Sequence, residues 1–515
     1  MEKGHKWCRD KMEILLMEIL HQNYQMERKL MEKLKHKIVQ IQQTQQQIVN
    51  KTALLLGRFH RLLKKGEIKM KKNIIQVIII IILIAILGGL LWYAFSSNNN
   101  QSNIQNPNQE EGQMKGGPGE NGGGPGESSS SSSVESTGAT EISDEQTISN
   151  KTYESSEGSQ NALLVKDGGD VTLTNSTITK TGDSSDENAD FYGTNAGILV
   201  NNNGKLNLSD ATITTNGSHA NGLFVYGTGE ATVKNTTINT SSNMSGGIMV
   251  AGGGTLNAEN LKVETGGNSS AAIRSDRGGG TMTVTGGTYL TNGVGSPAIY
   301  STADITVKDA SLTATKSEGA VVEGKNSITL SNCTLTDTNT TLNGNSETYK
   351  NIFLYQSMSG DADTGTAKFT AENSTITTNK GDTIFVTNTT AEVNLTNNKI
   401  ENNDGDFLRI QSGKWGKSGS NGGDVILNMT NQEVSGNIIV DNISTLVMNL
   451  TESSNYTGTI NSANTAKSIA LKLDSTSKIT LTGDSYVTSL EDADSSYSNI
   501  NFNGYKLYVN GTAIN

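Results

Sequence analysis

Arg274, Asp276 and Arg277 are the residues whose types and spacing come closest to chemistry, with Tyr300 and Glu323 one and two repeats further on. In a coiled chain whose turns stack about 4.8 Å apart, side chains one repeat apart converge. A guanidinium and carboxylates could meet there as acid, base and charge stabiliser. Asp276 with Glu323 is a thin match to the paired carboxylates of glycoside hydrolysis, and an ion pair bracing the bend at Gly278-Gly-Gly is the commoner outcome. Asp183, Asp186, Glu187 and Asp190 in one loop, and Asp361 and Asp363 in another, offer oxygens to a hard cation such as Ca²⁺. Neither loop has EF-hand spacing, and acidic loops are more often simply solvated. Four of the five histidines fall in the first 60 residues and His219 in a loop, so no histidine-based site assembles. No cofactor is called for, and the expectation is a protein that is not an enzyme.

These residues sit in a repeat that begins near Asn161, with a period of about 23–32 residues, as in a solenoid. Each repeat opens with a short apolar run such as Leu223-Phe-Val or Ile384-Phe-Val. An alternating strand follows, such as Ala231-Thr-Val, and then a third strand with one inward apolar residue, such as Ile238. Three residues before that apolar residue stand Asn175, Asp210, Asn235, Asn260, Gly286, Asp309, Asn332, Asn373 and Asn397. All are types that tolerate a left-handed backbone, which predicts a one-residue corner between the second and third strands. Small residues follow, among them Ala211, Ala310 and Cys333, and should point inward.

Three short strands per turn with an Asn corner after the second resemble the right-handed parallel β-helix of the pectate-lyase-like superfold. The body is also similar to adhesin-like β-helix surface proteins of Clostridia-type bacteria, through segments such as Ala271–Gly280, Tyr355–Asp361 and Trp415–Gly422. The resemblance covers roughly residues 150–515. It implies an all-β, three-sheet helix of about twelve rungs and a binding role, with a polysaccharide lyase or hydrolase, or an inert scaffold, as alternatives.

The same register separates inside from outside. Central residues of the first strands should point outward, giving a mostly apolar stripe that includes Leu164, Leu199, Phe224, Met249, Arg274, Tyr300, Val322, Phe353, Phe385 and Arg409. Phe224, Met249, Arg274, Tyr300, Phe353, Phe385 and Arg409 are the candidate binding residues, because exposed apolar patches of that extent mark interaction sites. Burial of the stripe beneath the long loops 179–194, 336–350 and 411–423 is the competing reading. The second-strand faces carry Thr and Asn, and ice or mineral binding there is weakened by unequal rung lengths.

The head differs in kind. Up to Lys72 there are 17 basic and 7 acidic residues, whereas the remainder is acidic, which makes nucleic acid an unsuitable partner. Residues 1–69 carry apolar steps of three and four, a helix or short coiled coil; Met70 is an alternative start. Residues 74–95 are long and apolar enough to cross a bilayer, and the preceding lysines place the N-terminus in the cytoplasm. That run exceeds a signal-peptide core, so an uncleaved single-pass anchor is expected. Residues 96–150 read as a disordered Gly/Ser/Asn linker. Residues 151–515 would then form an extracellular β-helix meeting a glycan or a cell-surface protein. Cys8 and Cys333 lie on opposite sides of the apolar run and should not pair.

Overall fold

A computed structural model describes residues 134–342, 348–357 and 359–515. The chain coils into three parallel sheets. The first strands form a 12-stranded sheet, the second strands a 14-stranded sheet, and the third strands a 10-stranded sheet continued by a 4-stranded one. Every pairing is parallel except the closing hairpin of Leu507–Val509 with Thr512–Ala513. With the right-handed sense general to parallel crossovers, this is an all-β right-handed parallel β-helix.

The predicted corners form as expected. Asn175, Asp210, Asn235, Asn260, Gly286, Asp309, Asn332, Asn373 and Asn397 all have φ between 47° and 67°. Amides stack from rung to rung, with Asn235 donating to Asp210 at 3.3 Å, Asn332 to Asp309 at 3.1 Å and Asn397 to Asn373 at 2.7 Å. At Gly287, the residue after one corner, an added Cβ would stand 2.2 Å from the Leu261 carbonyl, so only glycine fits. Cys333 is buried, and its thiol donates to the Val307 and Ser331 carbonyls.

Inward side chains form one continuous apolar core from Ile142 to Leu507, each contributing about 1.5–3 kcal/mol on burial. At the ends of the third strands the core turns polar. Thr215, Thr240, Thr265 and Thr291 each donate to the carbonyl five residues later, all at 2.6 Å. Lys180 continues this column, fully buried, with its ammonium donating to the Glu157 and Gly182 carbonyls. Burial lowers the Lys180 pKa to about 8.

Several expectations are corrected. Strands begin at Gly138–Ile142, Glu145–Ser149 and Thr152–Ser155, so one full rung lies within what reads as linker and body boundary. The helix at 1–69, the membrane span at 74–95 and most of the linker lie outside the described residues. Among the described residues no helix is long and apolar enough to cross a membrane; the one helix there is α1, Asn188–Tyr192. Over the described residues the fold is the β-helix. The preceding helices, the membrane partner and the single-pass localisation with a cytoplasmic N-terminus are not retained.

Candidate functional site

The outward column of the first sheet is continuous by register. Leu164 pairs with Leu199, Leu199 with Phe224, Phe224 with Met249, Met249 with Arg274, and Arg274 with Tyr300. Tyr300 then pairs with Val321, Val321 with Phe353, Phe353 with Phe385, and Phe385 with Arg409. Val321 rather than Val322 holds the outward place, because Ala320–Glu323 offers two adjacent valines and no polar alternation to mark the face. The column meets three different fates.

Its first stretch is covered. Leu164, Leu199, Phe224 and Met249 are 0% exposed and form a second apolar cluster with Ala196 and Ala251. The cover is the loop carrying α1. Gly193 ends that helix with φ 72°, and a Cβ there would stand 2.6 Å from the Phe224 ring. Tyr192 packs edge-on against Tyr226 at 5.3 Å, and the Arg277 guanidinium lies 3.8 Å from the Phe191 centroid. Phe224 and Met249 are therefore core residues beneath a lid, not a binding surface. Phe224→Ser is expected to lower unfolding free energy by about 3–5 kcal/mol, as loss of a buried aromatic does. Phe353→Ser should lower it by less than half as much, in urea titrations followed by circular dichroism.

The middle stretch is polar and bonded within itself, although Asp190 Oδ1 and one Arg274 guanidinium nitrogen have no hydrogen-bond partner. Arg274, 8% exposed, bonds Asp276 at 3.0 Å and faces Asp190 at 3.9 Å, and Asp190 meets His219 at 2.8 Å. Burial raises the Asp276 carboxyl above the usual range, against the pull of Arg274. Glu323 accepts from the hydroxyls of Tyr300, Tyr355 and Ser357. Burial lifts both phenols well above their ordinary range. Arg274 with Asp276, two residues apart on one rung, and Tyr300 with Glu323, one rung apart, are thus brought together, but as two internally bonded networks rather than an open acid–base pair.

The candidate cation ligands are engaged by protein groups. Asp183 accepts from the Ser218 amide, and Asp186 takes the amide and side chain of Asn188. Asp361 pairs with Arg277 at 2.6 Å and Asp363 with Lys325 at 2.8 Å. Among the described residues no group of three His, Cys, Asp or Glu could hold a metal ion, so the Ca²⁺ reading is not carried further.

The third stretch is partly open: Phe353 and Trp415 are half-buried, whereas Phe385 is 5% and Tyr355 8% exposed. Phe353 stacks on Phe385 at 5.6 Å and on Tyr355 at 4.5 Å, and Trp415 tilts over Tyr355 at 5.9 Å. A depression forms there, lined by these two phenylalanines, Trp415, Lys350, Thr387, Gln411, Ser412 and Lys414. The Lys350 ammonium stands 4.5 Å from the Phe353 centroid and 3.2 Å from Glu318. Lys350 and Ser317 hold the Glu318 carboxyl below its usual range despite burial. Arg409 is clamped by Asp382 and Asp406, both at 2.6 Å. The loop that brings in Trp415 is fixed by Asn421, which donates to the Gly413 and Trp415 carbonyls at 2.8 and 2.9 Å. Sequence reasoning singled out Phe353 and Phe385, which line the depression, and Arg409, which does not, and it passed over Lys350, Gln411, Lys414 and Trp415. Its available signal was a tryptophan in a Gly/Ser/Lys loop one rung beyond two outward phenylalanines.

A family model described as the right-handed β-helix region matches residues 161–350. That match agrees with a right-handed parallel β-helix of the pectate-lyase-like superfold, and it is a statement of fold, not of adhesion. No curated protein and no solved structure matches the chain.

Proposed function

We propose that this β-helix is a glycan-binding module rather than an enzyme, and that the depression at Phe353, Phe385 and Trp415 is its site. The carrying observation is the half-buried Phe353 and Trp415 over buried Phe385, flanked by Gln411 and Lys414. An apolar floor with a few convergent polar groups is the usual make-up of a ligand site. Sugar rings, apolar on their C–H faces and hydroxylated at their edges, suit such a lining. The internally bonded Arg274–Asp276 and Tyr300–Glu323 networks support a structural role for the residues that otherwise invite an enzymatic reading.

The test is a glycan array with the full chain, followed by titration of the strongest hits. Trp415→Ala and Phe353→Ala should each weaken binding by about tenfold or more, a loss of about 1.4 kcal/mol or more, with the circular dichroism spectrum unchanged. Binding indifferent to both substitutions, or no glycan retained by the parent chain, overturns the reading. Incubation with pectin-like polymers, with and without Ca²⁺, should release no product; release would favour the lyase or hydrolase alternative.

A further inference from the structure

The outward column does not end at the depression. Arg409 pairs with Ile439. Ile438 bridges to Ile460, and the Tyr486 amide bonds the Ile460 carbonyl, so Asn461 and then Tyr486 follow Ile439 in register. Tyr486 pairs with Tyr508. The strand Ser485–Val487 repeats the pattern of Leu408–Ile410, buried on both sides of a partly exposed centre. The two tyrosine rings stack at 4.6 Å with an interplanar angle of 5°. The buried tyrosines nearby spend their hydroxyls inside the protein, as Tyr456 does on the Gly436 and Thr459 carbonyls. Tyr486 and Tyr508 make no such hydroxyl bond among the described residues.

We propose that Tyr486 and Tyr508 form a second subsite, on the same face as the aromatic depression, for one linear polysaccharide running along the solenoid axis. The inference rests on the glycan-binding reading of the first site. Four strand spacings separate Phe385 from Tyr486, about 19 Å. Short oligosaccharides therefore occupy one subsite, and only longer chains engage both. Each tyrosine offers an apolar body with a polar tip, which suits the hydroxylated edge of a sugar chain better than a purely apolar partner. The occupant is a polymer rather than a second copy of this chain because the subsite continues the column that floors the first.

The probes are cello-, xylo-, manno- and galacturono-oligosaccharides, each from dimer to octamer, titrated into the full chain by calorimetry. Affinity should rise at least tenfold once the oligomer is long enough to reach both subsites. Tyr486→Ala/Tyr508→Ala should erase that rise and leave the dimer and trimer affinities unchanged. Tyr486→Phe/Tyr508→Phe, which keeps the rings stacked, guards against a folding defect and should lose only part of the rise. Short oligomers that bind through Trp415 with no gain from length, or a gain untouched by the tyrosine variants, overturn this inference and leave the first site standing. If no series binds, both fall. Concentration-dependent self-association abolished by the alanine pair, read by sedimentation, would assign the tyrosines to a copy of the chain and also overturn it.

Discussion

Asp337→Asn will remove a pH-dependent loss of stability worth about 4 kcal/mol. Asp337 sits fully buried at the end of the third-strand column that holds the threonine ladder. One carboxylate oxygen accepts the Asn339 amide at 2.5 Å, and the other has no partner. Burial, aided by the charge of Glu318, raises its pKa from the ordinary 3.8 to about 7. Below pH 3.8 the carboxyl is neutral in folded and unfolded chains alike, and folding bears no electrostatic penalty there. Between 3.8 and 7 the unfolded chain releases the proton while the folded one keeps it, so stability falls as pH rises and levels off above 7. Urea midpoints of the parent and Asp337→Asn should coincide at pH 3.5 and separate at pH 8, with the variant more stable. Coincidence at pH 8 would show that water or a cation already satisfies the carboxylate.

Arg274→Met is the other large effect. It leaves Asp276 and Asp190 buried without their shared countercharge, which is expected to cost about 3–5 kcal/mol. Arg274→Met/Asp276→Leu should recover most of that loss, since replacing a whole buried ion pair by apolar groups is often nearly neutral. Glycan binding at the depression should be unchanged in the double variant wherever it remains folded. A double variant as unstable as the single one would mean that Asp190, not Asp276, is the partner that matters, and thermal melts of Asp190→Asn would then decide it.

Legibility from sequence followed steric restriction. The nine corners could be read because a left-handed backbone admits few residue types, so Asn, Asp and Gly announce it one residue at a time. The faces could be read where apolar and polar residues alternate, as in Ala231-Thr-Val. They slipped at Val321 and Val322, where alternation fails. The opening rung at Gly138–Ser155 escaped notice because its strands, such as Glu145–Ser149, carry few apolar residues and merge into a Ser- and Glu-rich stretch. The lid could be bracketed within the loop 179–194, but its contacts could not be read. Its residues, Asp190 through Gly193, are ordinary loop types, and only the fold sets Gly193 against Phe224. The site loop was hidden for the same reason: Trp415 reaches Tyr355 through hydrogen bonds made by Asn421, which no local pattern encodes.

The shared register of the first-sheet column also makes the molecule a graduated scale. Each rung advances the outward residue by one strand spacing, about 4.8 Å, without turning it to another face. Removing the single turn that carries Ile439, or duplicating it, would shift Tyr486 and Tyr508 along the axis by one graduation while leaving Phe353, Phe385 and Trp415 where they are. In such a molecule, reach along a polymer is set by arithmetic on whole repeats, independently of the chemistry at either end.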